Sequence, residues 1–158
     1  MEWEKALVKS WDMLHPCDNP GCSAKWFIMH DPRNPVCPFC GKRVNQDDVI
    51  KLKFSSERHG KPGQWINSGE LILYNNIPLF NWHVFSNVFP DEKAERNMVA
   101  YACKYQGNWL LVNYGISRMM SQSGNLVPKG QAVLLKEGSV FRISDEKNGM
   151  LVEVRKGN

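Results

Sequence analysis

The chain lacks any long hydrophobic run. None of its apolar stretches approaches the roughly 18 to 20 residues that a membrane-spanning helix needs. The first residues, MEWEKALVKSWDML, also lack the continuous apolar segment of a signal peptide and carry acidic residues early. We therefore expect a cytoplasmic protein with no membrane partner, in a compartment that keeps its thiols reduced.

A concentration of charge of one sign is also missing. The net charge is +4, and residues 1–62 and 63–158 each hold ten basic and eight acidic residues. A nucleic-acid-binding protein more often concentrates its basic residues on one element. The alternative function is that of a zinc-ribbon protein that binds nucleic acid. Aromatic side chains that could stack on bases and basic side chains that could contact phosphates occur together in the first half of the chain. These residues are Lys25, Trp26, Phe27, Lys42, Arg43, Lys51 and Lys53.

Catalytic motifs are absent too. The sequence contains no glycine-rich phosphate loop, no Walker lysine loop, and no His-Arg-Asp or Asp-Phe-Gly motif of a kinase. No nucleophile–base pattern surrounds His59, His83 or Cys103, and the apolar run around Cys103 suggests a small buried hydrophobic residue. The chain is therefore predicted not to be an enzyme.

The most specific feature that is present is a set of two cysteine pairs. Cys17 and Cys22 lie in CDNPGC, Cys37 and Cys40 lie in CPFCGK, and fourteen residues separate the pairs. Four thiolates on two short turns satisfy the tetrahedral preference of Zn²⁺. Backbone N–H groups in the second turn can also point at the sulfurs and stabilise their charge. The spacing predicts a zinc ribbon with a closed, structural Zn²⁺ site.

Two alternatives to the four-cysteine site exist. His15 or His30 could replace one of the cysteines as a ligand. The four cysteines could instead form two disulfides, which would require an oxidising compartment and would leave Cys103 unpaired.

The sequence pattern divides the chain into four segments and predicts a mainly β fold. An apolar stripe at steps of three and four predicts an N-terminal amphipathic helix: Trp3, Ala6, Leu7, Ser10, Trp11 and Leu14. We expect its tryptophan face to pack on the zinc ribbon, on the downstream domain or on a region outside this chain. About seven short strands separated by turn signals predict an antiparallel β-sandwich in the second half. The expected segments are the helix at 1–14, the zinc ribbon at 15–54, a linker or long loop at 55–68, and the sandwich at 69–158.

The second half resembles a forkhead-associated (FHA) domain, a β-sandwich that reads phosphothreonine. The resemblance lies in the segment GNWLLVNYG at 107–115 and in the strand–turn–strand patterns at 127–135 and 135–143. It implies an FHA-like fold and a protein-interaction surface with a protein partner, which could be phosphorylated.

The phosphate-reading residues of that family match less well. Trp82 and His83 stand where the family has a Gly-Arg step, and Arg118 lies near the position of its Asn-Gly step. Arg96 lies nearest to the family's Ser-Arg-x-His step, but Glu95 replaces the serine and its carboxylate would repel phosphate. The resemblance therefore implies a degenerate FHA-like domain, with Arg96, Arg118 and His83 as candidate residues for phosphate or partner binding.

The N-terminal helix carries a second resemblance. The segment EWEKAL at 2–7 is similar to the last helix of bacterial Ser/Thr protein kinases, where a Trp and an Ala-Leu pair pack the end of the C-lobe. The order of helix, CxxxxC, CPxCG and β-domain fits a kinase that continues into a zinc ribbon and a β-rich tail. The resemblance implies a kinase-associated signalling module, either the C-terminal region of such a kinase or its partner.

Overall fold

The computed structural model describes residues 2–157, and most of its regular structure is β-strand. The helices are α1 (Glu2–Asp12) and α2 (Asn81–Val84), and a 3-10 turn spans Gln46–Asp48. The strands are β1 (Leu14–Pro16), β2 (Trp26–Ile28), β3 (Ile50–Glu57), β4 (Trp65–Ile72), β5 (Ile77–Leu79), β6 (Ala100–Tyr105), β7 (Asn108–Asn113), β8 (Ala132–Leu134), β9 (Val140–Arg142) and β10 (Leu151–Lys156).

Two four-stranded antiparallel sheets enclose the main core. One sheet has the strand order β4-β3-β10-β9 and the other has the order β5-β6-β7-β8. Alternate side chains of each sheet point inward into one apolar cluster, whose members from the two sheets include Leu52, Phe54, Val152, Val154, Leu79, Ala102, Leu111 and Val133. The predicted mainly β fold with an antiparallel sandwich is confirmed.

The cysteine-rich segment forms a small unit beside the first sheet. Strands β1 and β2 pair as an antiparallel hairpin. A second apolar cluster contains Phe27, Met29 and Val49 together with Ile72, which belongs to β4. The Gly157 N–H, just after β10, donates a 2.9 Å hydrogen bond to the carbonyl of Val49. The unit therefore packs on the sandwich and shares apolar surface with it.

The range 55–68, expected as a linker or long loop, contains the ends of two strands and a loop at 58–64 between them. Strand β3 starts inside the range expected for the zinc ribbon, runs to Glu57, and pairs with β4 and β10. The polar stretch that suggested a linker is the end of the β3–β4 hairpin, where Gly60 and Gly63 adopt positive φ angles of 69° and 80°. Residues 50–57 thus belong to the sandwich.

Helix α1 lies on the outside of this assembly, and none of its described residues is buried. The tryptophan face that was expected to pack stays open: Trp3 is 84% exposed, Leu7 68% and Trp11 62%. The expected packing of this face is therefore not found within residues 2–157. Among these residues, no helix is long and apolar enough to cross a membrane.

Candidate metal centre and adjoining clefts

The four predicted cysteine ligands come together. Their Sγ atoms all lie within 4.8 Å of one another, with 3.5 Å between Cys17 and Cys40 and 3.9 Å between Cys22 and Cys37. Four sulfurs placed about 2.3 Å from one Zn²⁺ in a tetrahedron are about 3.8 Å apart. A disulfide needs about 2.05 Å, and all five cysteines are free thiols. The cluster has the dimensions of a site for one metal ion.

Local backbone bonds hold each pair of cysteines in place. In the second turn, the Cys37 N–H donates to the Lys42 carbonyl, and the Gly41 N–H donates to the Cys37 carbonyl, both at 2.9 Å. Gly41 has a φ of 73°, which lets the chain turn back directly after Cys40. The turn predicted from CPFCGK is therefore present.

Asn19 organises the first turn. Its carbonyl accepts from the Cys22 N–H at 3.0 Å, and its side-chain Oδ1 accepts from the Gly21 N–H at 3.0 Å. The Cys17 N–H donates to the Lys25 carbonyl at 2.7 Å and closes the turn. The two cysteines of this pair are thus fixed by backbone groups on both sides.

The electrostatics of the cluster show why a cation fits there. The Lys42 backbone N–H and the Asn19 side chain lower the pKa of Cys40 to about 6. The Asn19 backbone N–H lowers the pKa of Cys17, but desolvation and the three neighbouring thiols outweigh it and raise that pKa to about 12. The thiols compete for negative charge, and a divalent cation would remove this competition.

Asn19 is a site residue that the sequence interpretation missed. Its backbone N–H acts on Cys17 and its side chain acts on Cys40, so one residue supports a sulfur from each pair. The only signal in the sequence was an Asn two positions after a cysteine in a short turn, a common place for N–H groups that face a metal-bound sulfur.

The alternative ligands lie outside the cluster. The Nδ1–H of His15 donates to the Pro16 carbonyl at 2.8 Å, and burial lowers the pKa of this buried ring. His30 is exposed. Within residues 2–157, the converging ligand atoms are the four sulfurs alone. His15, His30 and Cys103 of β6 do not belong to this cluster. Four thiolates fill a tetrahedral shell and leave no position for a reactive water.

The candidate phosphate-binding residues are not assembled into one site. Arg118 makes a two-pronged contact with Asp145, from Nε to Oδ1 at 2.6 Å and from Nη2 to Oδ2 at 2.5 Å. His83 is buried, accepts from the Phe80 N–H through Nδ1 at 3.0 Å, and contacts Asp12 through Nε2 at 3.1 Å. Arg96 is exposed. It forms no ion pair within residues 2–157, so Arg96 is the one of the two arginines whose guanidinium is not held by a carboxylate.

Arg96 and His83 border an apolar groove of about 300 Å³ on one side of α1. We call it the apolar groove; its walls include Leu7, Trp11, Leu71, Ile77, Phe80 and Trp82. The indole Nε1 of Trp82 is buried there without a hydrogen-bond partner among the described residues. Arg118 does not line this groove.

A larger cleft of about 800 Å³ lies on the other side of α1. Lys5, Val8 and Lys9 of α1 line it, as do Asn67–Glu70 of β4. We call it the α1–β4 cleft. No motif in the sequence pointed to it, because its two walls are about 60 residues apart in the chain and meet only through the fold.

This chain matches no protein-family model, no curated protein and no solved structure. The likeness to FHA domains and to kinases therefore rests on the motifs quoted from the sequence.

Proposed function

We propose that this chain is a non-catalytic protein-interaction module whose ribbon is held together by a structural Zn²⁺. The zinc assignment is supported by four converging thiolates with sulfur–sulfur distances suited to a tetrahedral ion. Soft thiolate ligands in this geometry favour zinc, with iron as the metal to exclude. Elemental analysis of protein purified without added metal tests the assignment, and stoichiometric iron with a charge-transfer absorption band would contradict it.

One observation carries the interaction role: α1 holds Trp3, Leu7 and Trp11 on one face, and all three are exposed. Large exposed apolar patches mark interaction sites because exposure to water is unfavourable and a partner relieves it. The apolar groove continues this surface into the sandwich. The proposed module therefore has a contiguous apolar surface on which a protein partner can bind.

The kinase connection is part of this proposal. In the resembling kinases the equivalents of Trp3, Ala6 and Leu7 cover the end of the C-lobe, and here all three side chains are available for such a contact. The module would then be the non-catalytic C-terminal region of a bacterial Ser/Thr kinase, or would bind one. Phosphopeptide recognition would depend on Arg96, since Arg118 is held by Asp145.

The test is affinity capture with zinc-loaded chain, using W3S/W11S as the disrupted bait. Both side chains are exposed, so this variant should fold normally. Y105S, which removes an exposed aromatic at the β6–β7 turn, is the matched control. Proteins that are enriched by the wild type and by Y105S but lost with W3S/W11S, and that bind again when purified, support the role. Equal capture by all three baits would contradict it.

Calorimetric titration tests the phosphate part separately. A phosphothreonine peptide should bind more tightly than its unphosphorylated form, and R96A should abolish the difference. Equal affinity for the two peptides would remove phosphate recognition from the proposal and leave the interaction role in place.

Zinc-ribbon binding to nucleic acid is the second candidate because of Phe39. This residue lies between two metal-site cysteines, is 66% exposed, and is followed by Lys42 and Arg43. Trp26, one of the aromatic side chains that could stack on a base, is also exposed, whereas Phe27 is buried. Salt-dependent binding of single-stranded RNA that is lost in F39S would favour this function. Absence of binding at low salt would exclude it.

A further inference from the structure

Strand β4 has a long unpaired edge at the α1–β4 cleft. It is the terminal strand of its sheet and pairs only with β3 among the strands of residues 2–157. It contains eight residues, whereas the other terminal strands of the two four-stranded sheets, β5, β8 and β9, contain three each. An unpaired edge presents backbone N–H and C=O groups that can template a further strand.

The edge of β4 faces the cleft rather than turning away from it. Asn67, Ser68, Gly69 and Glu70 all line the cleft although they are consecutive. Side chains of a strand alternate between its two faces, so a consecutive run that borders one space presents the strand's edge to it. A bulge at Ser68 interrupts the pairing with β3, and Gly69 leaves open space around its backbone.

The space between α1 and β4 decides whether a further strand can reach the edge of β4. Helices often cover a sheet edge and so prevent further pairing. Here α1 approaches part of β4 closely, and a volume of about 800 Å³ remains along the rest of the space that α1, β4 and the segment 82–90 border. The apolar lining of this space includes Met29, Phe54 and Ile72. Peptides that add to a sheet edge gain affinity from main-chain hydrogen bonds and specificity from the pockets that take alternate side chains.

The charges around the cleft select the chemistry of the occupant. Glu70 is paired with Lys51 at 3.3 Å, and Asp12 is bonded to His83 at 3.1 Å. Lys5 and Lys9 form no ion pair within residues 2–157, and they stand one helical turn apart on the wall opposite β4. Three lysines (Lys5, Lys9 and Lys51) against two carboxylates (Asp12 and Glu70) leave the cleft lining with one positive charge in excess.

We propose that the α1–β4 cleft binds an extended acidic peptide segment of a partner protein, which adds to the edge of β4 as a fifth strand. The peptide backbone pairs with β4. Its apolar side chains enter the cleft, and one or two carboxylates meet Lys5 and Lys9. This inference rests on the proposed interaction function and specifies one site and one class of partner for it.

The experiment uses the full zinc-loaded chain and three synthetic probes. The first is the capped peptide Ac-Thr-Val-Asp-Val-Glu-Ile-amide. The second carries Lys in place of its two acidic residues, and the third is N-methylated at alternate amides so that it cannot pair as a strand. Each is titrated into isotope-labelled protein and followed by the backbone amide signals. A phage-displayed random peptide library is selected against the same protein, so that the outcome does not depend on one peptide sequence.

We expect the acidic probe, and acidic peptides from the library, to shift the amide signals of 67–72 and to show cross-strand contacts with β4. The basic and N-methylated probes should not bind. The variant K5E/K9E should weaken the acidic probe by about tenfold or more, in line with two close charge contacts. K136E/K147E makes the same charge change at exposed positions outside the cleft and should leave the affinity unchanged.

The outcomes separate this inference from the proposed function. Peptides that bind with shifts confined to the apolar groove, or that bind as helices, overturn the cleft assignment but leave the interaction module standing. Binding at β4 that is equal for acidic and basic probes overturns the acidic partner. Failure of every probe and of the library overturns the inference, and the capture experiment with W3S/W11S then decides independently whether the module binds proteins at all.

Discussion

His83 and Asp12 connect α1 to the sandwich across 71 residues of sequence, through a contact of 3.1 Å between Nε2 and Oδ1. The Nδ1 atom of His83 accepts the Phe80 N–H, so the ring proton lies on Nε2 and is donated to Asp12. Both side chains are largely buried, with exposed fractions of 5% and 15%. Because no residue of α1 is fully buried, this bond is a principal attachment of the helix.

Asp12→Ala should therefore loosen α1 without unfolding the sandwich. The expected loss is about 1–3 kcal/mol, because a buried donor on His83 loses its partner. Hydrogen exchange should show faster exchange in residues 2–12 and little change in β6 and β7. Glu95→Ala, at an exposed position, is the control and should leave both unchanged. Uniformly faster exchange throughout the chain would show that α1 and the sandwich unfold together.

Removal of the metal should unfold the ribbon and spare much of the sandwich. Cys37→Ser removes one ligand from a unit with a small core of its own, so most of that unit's stability should depend on the ion. Native mass spectrometry should show one bound metal in the wild type and none in the variant, and hydrogen exchange should rise in residues 15–49. Cys103→Ser, outside the cluster, should keep its metal. Equal loss of protection in both parts would instead show one cooperative unit.

Asn19→Ala should weaken metal binding and leave all four ligands in place. Loss of a residue that supports metal ligands typically costs about 10–100-fold in affinity. Competition with a chromophoric chelator measures this change. Asn34→Ala, in an exposed turn between the two cysteine pairs, provides the control. Unchanged affinity in Asn19→Ala would mean that its contacts with Cys17 and Cys40 matter little once the metal is bound.

Asn113 should be important for the stability of the sandwich. Its side-chain amide donates to the carbonyls of Ile116 and Val127 and its Oδ1 accepts the Ile116 N–H, all at 2.8 Å and all buried. Asn113→Ala leaves these backbone groups without partners and should reduce the free energy of unfolding by about 2–3 kcal/mol. Urea denaturation measures the change, and the exposed Asn108→Ala should shift the midpoint little. A comparable loss in both variants would contradict this role.

Asp145 should titrate at a lower pH than an ordinary aspartate. Its hydrogen bonds with Arg118 hold the pKa of the carboxyl below its usual range. A pKa that is lower in the folded state stabilises the fold fully above the unfolded value of about 3.9, and this contribution disappears as the pH falls through the folded pKa. In Arg118→Gln the pKa of Asp145 should rise toward the usual value, as carbon-detected NMR titration would show. An unchanged pKa would mean that the two side chains part in solution and that Arg118 is free to meet a phosphate.

The convergence of the four cysteines was the part of the structure that the sequence predicted best. Cysteine spacing is a local signal, and the turn that presents Cys37 and Cys40 depends on their immediate neighbours. The sequence did not indicate Asn19, because its side chain in the first turn acts on Cys40 in the second turn, and this contact exists only in the folded chain. The hairpin β6–β7 was likewise visible locally, from two apolar runs around Gln106-Gly107.

The errors came from contacts between distant segments. The apolar composition of 79–85 is typical of a strand, but Asn81–Val84 forms a helical turn in which Nδ1 of His83 accepts a hydrogen bond from the Phe80 N–H. The polar composition of 55–68 indicated a linker or long loop, but pairing with β10 as far as Ser55 and with β4 as far as Glu57 extends β3 into this range. Nothing in either segment reveals these partners, because strand pairing and burial are decided by tertiary contacts.

The position of β10 has a consequence for how the protein folds. This strand is the latest in the chain, yet it lies between β3 and β9 in the middle of its sheet. Val154 pairs with Leu52, a contact that closes a loop of about 100 residues, and contacts of such long range form slowly. During synthesis the cysteine-rich unit and the β3–β4 hairpin can form early, whereas the second edge of β3 stays unpaired until β10 has left the ribosome. Until then the edge of β3 that pairs with β10 is open to other strands and to chaperones.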